Sequence, residues 1–243
     1  MNNNSSSFPE ENTAGGTFEV AAGWISLLGL VLFSIGFMAL MEFIPPPSPA
    51  DGAEVFATRY EENAFGIRLG AIFLLLGIPF LLPIYAAIST AILRMSTRSL
   101  TLAYIQFGAG LMIVMPALIM AILFATISFR PERGIEYVYL MSDFSWLLFV
   151  TVTPPVTLQT LVTGWAILID KSPTPVFPRW VGFLNIWVGI LAIPGVFAVL
   201  FKTGPFAWDG LLAFWLPLGV FFVWFAVMLW QIISQGKRVF HGK

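Results

Sequence analysis

Cysteine is absent from this chain of 243 residues, and histidine occurs once, at His241 near the end. Without cysteine there is no disulfide, iron–sulfur cluster or thiolate metal site. One tail histidine cannot build the haem, di-iron, copper or catalytic zinc sites that draw on clustered His and Cys ligands. It also leaves an intramembrane serine protease without its base. No Walker loop, G-x-G-x-x-G or G-x-S-x-G motif occurs. No cofactor and no nucleic-acid partner are therefore expected.

Charge is the other scarcity. Asp, Glu, Lys and Arg make up 10% of the residues, against roughly 25% in soluble domains, while 58% are hydrophobic. Residues 20–41, 69–93, 99–129, 144–169, 180–201 and 210–236 contain no charged side chain, and each run is 22 to 31 residues long. A helix crossing the hydrocarbon core needs about 20 apolar residues. The fold class is therefore all-α: a polytopic integral membrane protein, a bundle of six transmembrane helices at about 21–44, 65–93, 101–127, 141–169, 180–200 and 210–233. None of these runs carries a lysine, which excludes retinal-type Schiff-base chemistry. Residues 1–19 are rich in Asn, Ser and Gly without Lys or Arg, so they read as a disordered polar tail and not a secretory signal.

An even number of crossings puts both termini on one side. That side carries seven Lys and Arg (Arg94, Arg98, Lys171, Arg179, Lys237, Arg238, Lys243), and the other carries five (Arg59, Arg68, Arg130, Arg133, Lys202). The positive-inside rule then makes the termini cytoplasmic, in a bacterial-type inner membrane. Nine of the thirteen acidic residues fall on the outer side, in agreement. Trp24, Trp165, Trp180 and Trp230 are placed at the inner boundary, and Tyr137, Tyr139, Trp146 and Trp208 at the outer one, as aromatic belts.

Small residues mark helix contacts. Gly66, Gly70 and Gly77 line one stripe of the second helix, and Gly182, Asn185, Gly189 and Ala192 one stripe of the fifth. Both stripes let a neighbouring backbone come close, with Asn185 as an interhelical hydrogen-bond donor. The second and fifth helices each run from glycines to a proline, too faint a match for an inverted repeat.

The fourth helix is the least lipid-like. Thr153, Thr157, Thr160 and Gly164 share one helical face, which should point into the bundle, and Gln159 stands beside it. Pro154 and Pro155 remove two backbone donors, so the helix should kink or break there and strand carbonyls near Val150 and Thr151. In hydrocarbon those groups need side chains, water or a ligand. The candidate ligand-binding residues are thus Thr153, Thr157, Gln159 and Thr160, lining a cavity beside the kink.

A second candidate is an outer ring of ionisable groups. Arg68 lies deepest and calls for a carboxylate partner, with Glu42 and Asp143 the choices. The loop 45–64, opened by a stiff proline run, and the turn 129–133 would roof it. The tail 237–243 is short and basic and suits anionic lipid.

Three functions follow as expectations. The first is a non-enzymatic membrane protein that binds or passes a small apolar or amphipathic, lipid-like molecule through the cavity beside the kinked fourth helix. The second is an accessory subunit whose small-residue faces dock on other membrane subunits. The third is a lipid-modifying enzyme that uses the outer carboxylates Glu42, Glu61 or Asp143.

Overall fold

The computed structural model describes residues 10–130 and 132–240, and within them the chain is helical with no strand. Six segments are long and apolar enough to cross a membrane: Gly16–Leu40, Ala64–Arg94, Leu100–Phe129, Ile135–Ile169, Arg179–Leu200 and Leu211–Arg238. The first span is α1 (Glu10–Ser34) followed by a π-helical turn, Ile35–Leu40. α2 (Ala53–Glu62) is short and lies between the first two spans. The second span joins α3 (Ala64–Gly77) to α4 (Leu82–Arg94) through a 3-10 turn, and the third is α5 (Leu100–Phe129) alone. The fourth is α6 (Ile135–Val150) and α7 (Thr153–Ile169). The fifth is α8 (Arg179–Ala192) with a 3-10 segment, and the sixth is a π turn, Leu211–Trp215, leading into α9 (Leu216–Phe240).

Two boundaries differ from the sequence reading. α1 starts at Glu10, so part of the expected polar tail is helix; residues 1–9 and 241–243 lie outside the described residues. Short polar stretches seldom hold a helix alone, but packing can impose one. Here α1 packs along α9, and a Cβ added at Gly236 would lie 2.7 Å from the Gly16 carbonyl oxygen. That contact also puts both ends of the chain at the same end of the bundle. The second difference is α2, which forms inside the loop expected at 45–64.

The spans form a closed ring. Each packs on the next in sequence, as short antiparallel connections favour, and α1 against α9 closes the circle. Glycine permits the closest seams. A Cβ at Gly29 would meet the Gly77 oxygen at 2.7 Å, and one at Gly70 would meet the Gly36 oxygen at 2.6 Å. Gly164 abuts the Gly182 oxygen at 2.8 Å in the same way. In lipid such packing supplies the association that hydrophobicity cannot.

Five of the six spans also depart from α geometry, at the middle or in the half away from the termini, and the third stays α-helical through Pro116. Pro79 sits in the 3-10 turn of the second span, Pro116 within α5, Pro194 in the 3-10 segment of the fifth, and Pro217 just after the π turn of the sixth. The fourth span breaks between Val150 and Thr153, as Pro154-Pro155 requires. Thr151 patches the break: its N–H and its hydroxyl both donate to the Leu147 oxygen, at 2.9 and 2.7 Å.

Polar bonds tie the two ends of the ring. At the end holding the termini, Arg94 pairs with Glu19 at 2.9 Å, Ser96 N–H donates to Asp170 Oδ1 at 2.9 Å, and Lys171 N–H donates to Ser96 Oγ at 2.8 Å. At the far end, residues 41–63 fold over the ring. α2 buries Phe56, Ala57 and Tyr60 on one face and exposes Val55, Glu61 and Glu62. Arg59 donates to the Glu42 oxygen (2.9 Å), Asn63 to the Leu40 oxygen (3.0 Å), Tyr139 to the Asp51 oxygen (3.1 Å) and Trp208 to the Pro47 oxygen (2.8 Å).

The glycine seams predict that Gly70→Leu costs about 1–3 kcal/mol by overpacking, read as a fall in the thermal midpoint of the detergent-solubilised protein. Gly108→Leu, where a Cβ meets nothing within 4 Å, is expected to be silent in the same assay. Asp170 gives a pH prediction. Burial disfavours its charge, but hydrogen bonds from Ser96 and Ser172 outweigh that and hold its pKa below the ordinary carboxylate value. A lowered pKa stabilises the fold fully above the unfolded value of about 3.9 and loses that contribution as pH falls through the folded value. Asp170→Ala is therefore expected to lower the midpoint at pH 7, with its gap from wild type closing only in strong acid.

Candidate functional site

Beside the irregular turns of the second, fourth and sixth spans, the bundle leaves a cavity of about 130 Å³ part-way along the spans. Each span contributes wall: Phe33 from the first, Ile78 from the second, Val114 from the third, Phe149 from the fourth, Val188 from the fifth and Phe214 from the sixth. No Asp, Glu, Lys, Arg or His lines it, and its polar members are Tyr85 and Thr153. The Thr153 hydroxyl is buried without a hydrogen-bond partner, wedged against the fifth span where a Cβ at Gly195 would come 3.2 Å from it. The Thr153 methyl lies closer still to that seam, at 2.5 Å from the same Cβ position. A narrower annex of about 20 Å³ continues toward the terminal end, between Gln159, Thr160, Trp224 and Phe225.

Aromatic packing closes the far side. Trp146 is fully buried, with ring centroids of Phe43, Phe124 and Phe37 at 5.2, 5.7 and 6.0 Å. Phe149 and Phe214, at 6.3 and 6.4 Å from it, belong to both this cluster and the cavity wall. Tyr60 of α2 sits above, 6.2 Å from Phe43. Burial pushes the Tyr60 phenol well above its ordinary pKa, although Ser142 and Trp146 lie beside the hydroxyl.

A hydrogen-bonded assembly closes the terminal side. Trp224 stacks on Tyr85 at 6.1 Å, and its indole N–H donates to Asn185 Oδ1 at 2.8 Å. Asn185 Nδ2 in turn donates to the Val181 oxygen at 2.8 Å and reaches Met228 Sδ at 3.6 Å. Asn185 therefore bridges helices as expected from its stripe, but chiefly as an acceptor.

The candidate residues on the fourth span separate. Thr153 borders the cavity, and Gln159 and Thr160 border only the annex. Thr157 borders neither; its hydroxyl donates to the Gly189 oxygen at 2.9 Å, across the seam with α8. Thr160 donates to the Val156 oxygen at 2.9 Å, and a Cβ at Gly189 would meet its Oγ1 at 2.7 Å. Gln159 and Thr163 bond each other's turn. The threonine face thus points at the fifth span and not into open space. Its small residues are what a neighbouring backbone can approach, whereas bulky Val and Phe stand off and border a void.

The outer ring does not assemble. Arg68 is exposed, its Nε donates to the Ala64 oxygen of its own helix at 3.1 Å, and among the described residues no carboxylate lies within 4.0 Å of its guanidinium. Glu42 is exposed with a positive φ of 55°, and its carbonyl, not its carboxylate, is in use. Asp143 is half-buried, and the cation that acts on it is Lys202. A long guanidinium in the first turn of a span reaches the interface more cheaply than it reaches across the bundle.

Other residues were hidden from the sequence reading. Trp146 and Trp208, expected in the outer belt, are core side chains at 0% and 4% exposure, whereas Trp24, Trp165, Trp180 and Trp230 all face outward. The available signal was that Trp146 shares a helical face with Ser142 and Phe149. The Glu19–Arg94 pair joins two residues assigned to a tail and a loop. The signal there was one carboxylate placed directly before a charge-free run.

The Trp224–Asn185 bond yields a prediction. Asn185→Leu leaves a buried indole donor unpaired, at about 1–3 kcal/mol, and Trp224→Phe removes the donor as well. A double-mutant cycle on thermal or denaturant unfolding should therefore show coupling of about 0.5–3 kcal/mol, and strict additivity would contradict the bond. Comparison with family models, curated proteins and solved structures finds no match to this chain, which leaves the geometry of the site as the guide to function.

Proposed function

We propose that this multi-pass membrane protein is non-enzymatic and binds a small, uncharged, mainly apolar molecule in the mid-membrane cavity beside the broken fourth span. The observation that carries this reading is the cavity's size and wall: about 130 Å³, bordered by all six spans and by no ionisable group but Tyr85. An engineered apolar cavity of roughly 150 Å³ in a soluble protein stays dry and takes up benzene or xenon. This cavity is of the same order and has the same kind of lining. A molecule of that class, or the end of an acyl chain, fits it by volume and chemistry. Passage of such a molecule across the membrane is the natural extension, with the termini on the cytoplasmic side of a bacterial-type inner membrane, where the larger share of Lys and Arg lies.

The subunit and enzyme readings draw less from the geometry. The glycine stripes that suggested docking on another protein are spent on seams within the ring. No hydrogen bond or ion pair joins the side chains of Glu42, Glu61 and Asp143 to each other.

Xenon or benzene titrated into the purified protein is expected to raise its thermal midpoint, because a ligand that binds only the folded state stabilises it by mass action. Val114→Phe, which fills the cavity from α5, should abolish the rise. Thr157→Val should keep it, since Thr157 lies on the α7–α8 seam. An equal rise in wild type and Val114→Phe would sink the proposal.

A further inference from the structure

The two closures of the cavity are built differently, and the difference assigns a direction of access. On the terminal side, opening must break the buried Trp224–Asn185 hydrogen bond and part the long α1–α9 contact. Within the Trp146 cluster on the far side no side-chain hydrogen bond joins two spans among the described residues. Trp146 Nε1 and Tyr60 Oη are both buried without a hydrogen-bond partner, although each lies beside the other. Such orphaned groups cost free energy in the closed state, and that cost is relieved when water reaches them. What holds the cluster itself together is ring contact, while the segment above it is held by hydrogen bonds such as Trp208 to the Pro47 oxygen at 2.8 Å.

Two of those rings also stand on irregular backbone. Phe37 is on the π turn Ile35–Leu40, and Phe214 is on the π turn Leu211–Trp215. A π turn holds one residue more than an α turn, and π segments occur disproportionately at functional sites. Resolving one into α geometry swings the side chains on it by about one residue's rotation, on the order of 100°. Phe37 and Phe214 are in contact with Trp146, or with Phe149 beside it, and Phe214 and Phe149 are also cavity wall.

We propose that the aromatic cluster around Trp146 is a gate, through which the cavity exchanges its ligand with the membrane face away from the termini as Phe37 and Phe214 move on their π turns. α2 is its cover, carrying Tyr60 onto the cluster and held over the ring through carbonyls of the preceding segment. The proposal rests on the cavity reading above for its ligand, but not for its geometry.

The absence of native cysteine makes the test direct. A single reporter, Val114→Cys on the cavity wall, is placed in sealed lipid vesicles of known orientation, and a charged, membrane-impermeant thiosulfonate is added to one face at a time. With the cluster intact the reporter should react slowly from both faces. With Trp146→Ala it should react faster from the far face by about tenfold or more, the factor given by each 1.4 kcal/mol removed from the opening cost, and unchanged from the terminal face. If Trp146→Ala fails to give a monodisperse protein, Phe214→Leu and Phe37→Leu are milder versions of the same change. Fast far-face reaction in the intact protein overturns the gate, as does an unchanged rate in every folded variant or an equal gain from both faces. Far-face acceleration supports it whether or not xenon shifts the thermal midpoint, so failure of the ligand reading is scored separately.

Discussion

A helix broken within hydrocarbon has to satisfy its freed backbone groups inside the protein, and five of the six spans depart from α geometry while the third carries Pro116 inside a continuous helix. That constraint orders much of the rest. A break that faced lipid would leave bare carbonyls in an apolar solvent, and three of the breaks, at Ile78, Val152 and Phe214, border the central cavity. Thr151 shows how the groups are met, with backbone and hydroxyl converging on the Leu147 oxygen below the Pro154-Pro155 step. Spans with irregular backbone cannot pack against one another as closely as regular ones. The space they leave at the axis is the cavity.

Close packing around the ring depends on glycine. The pairs Gly29 with Gly77 and Gly36 with Gly70 bring the first two spans to backbone contact, and Gly164 with Gly182 does the same for the fourth and fifth. These seams fix the circumference of the ring and leave its centre open. Polar side chains follow the same division. Thr157 and Thr160 serve the seams, Asn185 ties α8 to α9, and Ser96 with Asp170 joins two loops at the terminal end. Little polarity remains for the central wall.

The six spans were legible in the sequence because they are defined by what they exclude, and a charge-free run of sufficient length has few other uses. The break at Pro154-Pro155 was legible for a covalent reason, the loss of two N–H donors. The glycine stripes of the second and fifth spans were legible because a missing side chain has one common use in a membrane helix. The direction of the threonine face was not legible: periodicity says which residues share a face, but not whether that face meets a neighbour or a void. Trp146 was misplaced for a related reason, since a tryptophan near a span's end suits the interface and the core alike, and only packing against five phenylalanines decides between them. The expected partners of Arg68 failed because sequence depth sets where a Cα lies, while a long side chain settles elsewhere. α2 escaped because ten residues of mixed charge carry too weak an apolar pattern to stand out against a proline-rich loop.

The apolar wall bears on which molecules this ring can serve. An ion or sugar at mid-membrane needs fixed charge, carbonyl rings or a continuous file of water. The cavity offers none of these. Its one threonine hydroxyl and the Tyr85 phenol are its only polar side-chain groups, and the annex beside Gln159, at about 20 Å³, has room for a single water at most. Polar cargo would have to shed its hydration and gain nothing in return, at several kcal/mol for each unmet group. An apolar molecule loses little on leaving lipid and gains contacts with a wall that otherwise faces empty space. On the proposed reading, the same wall that makes the ring a poor channel makes it selective, for molecules that already dissolve in the bilayer.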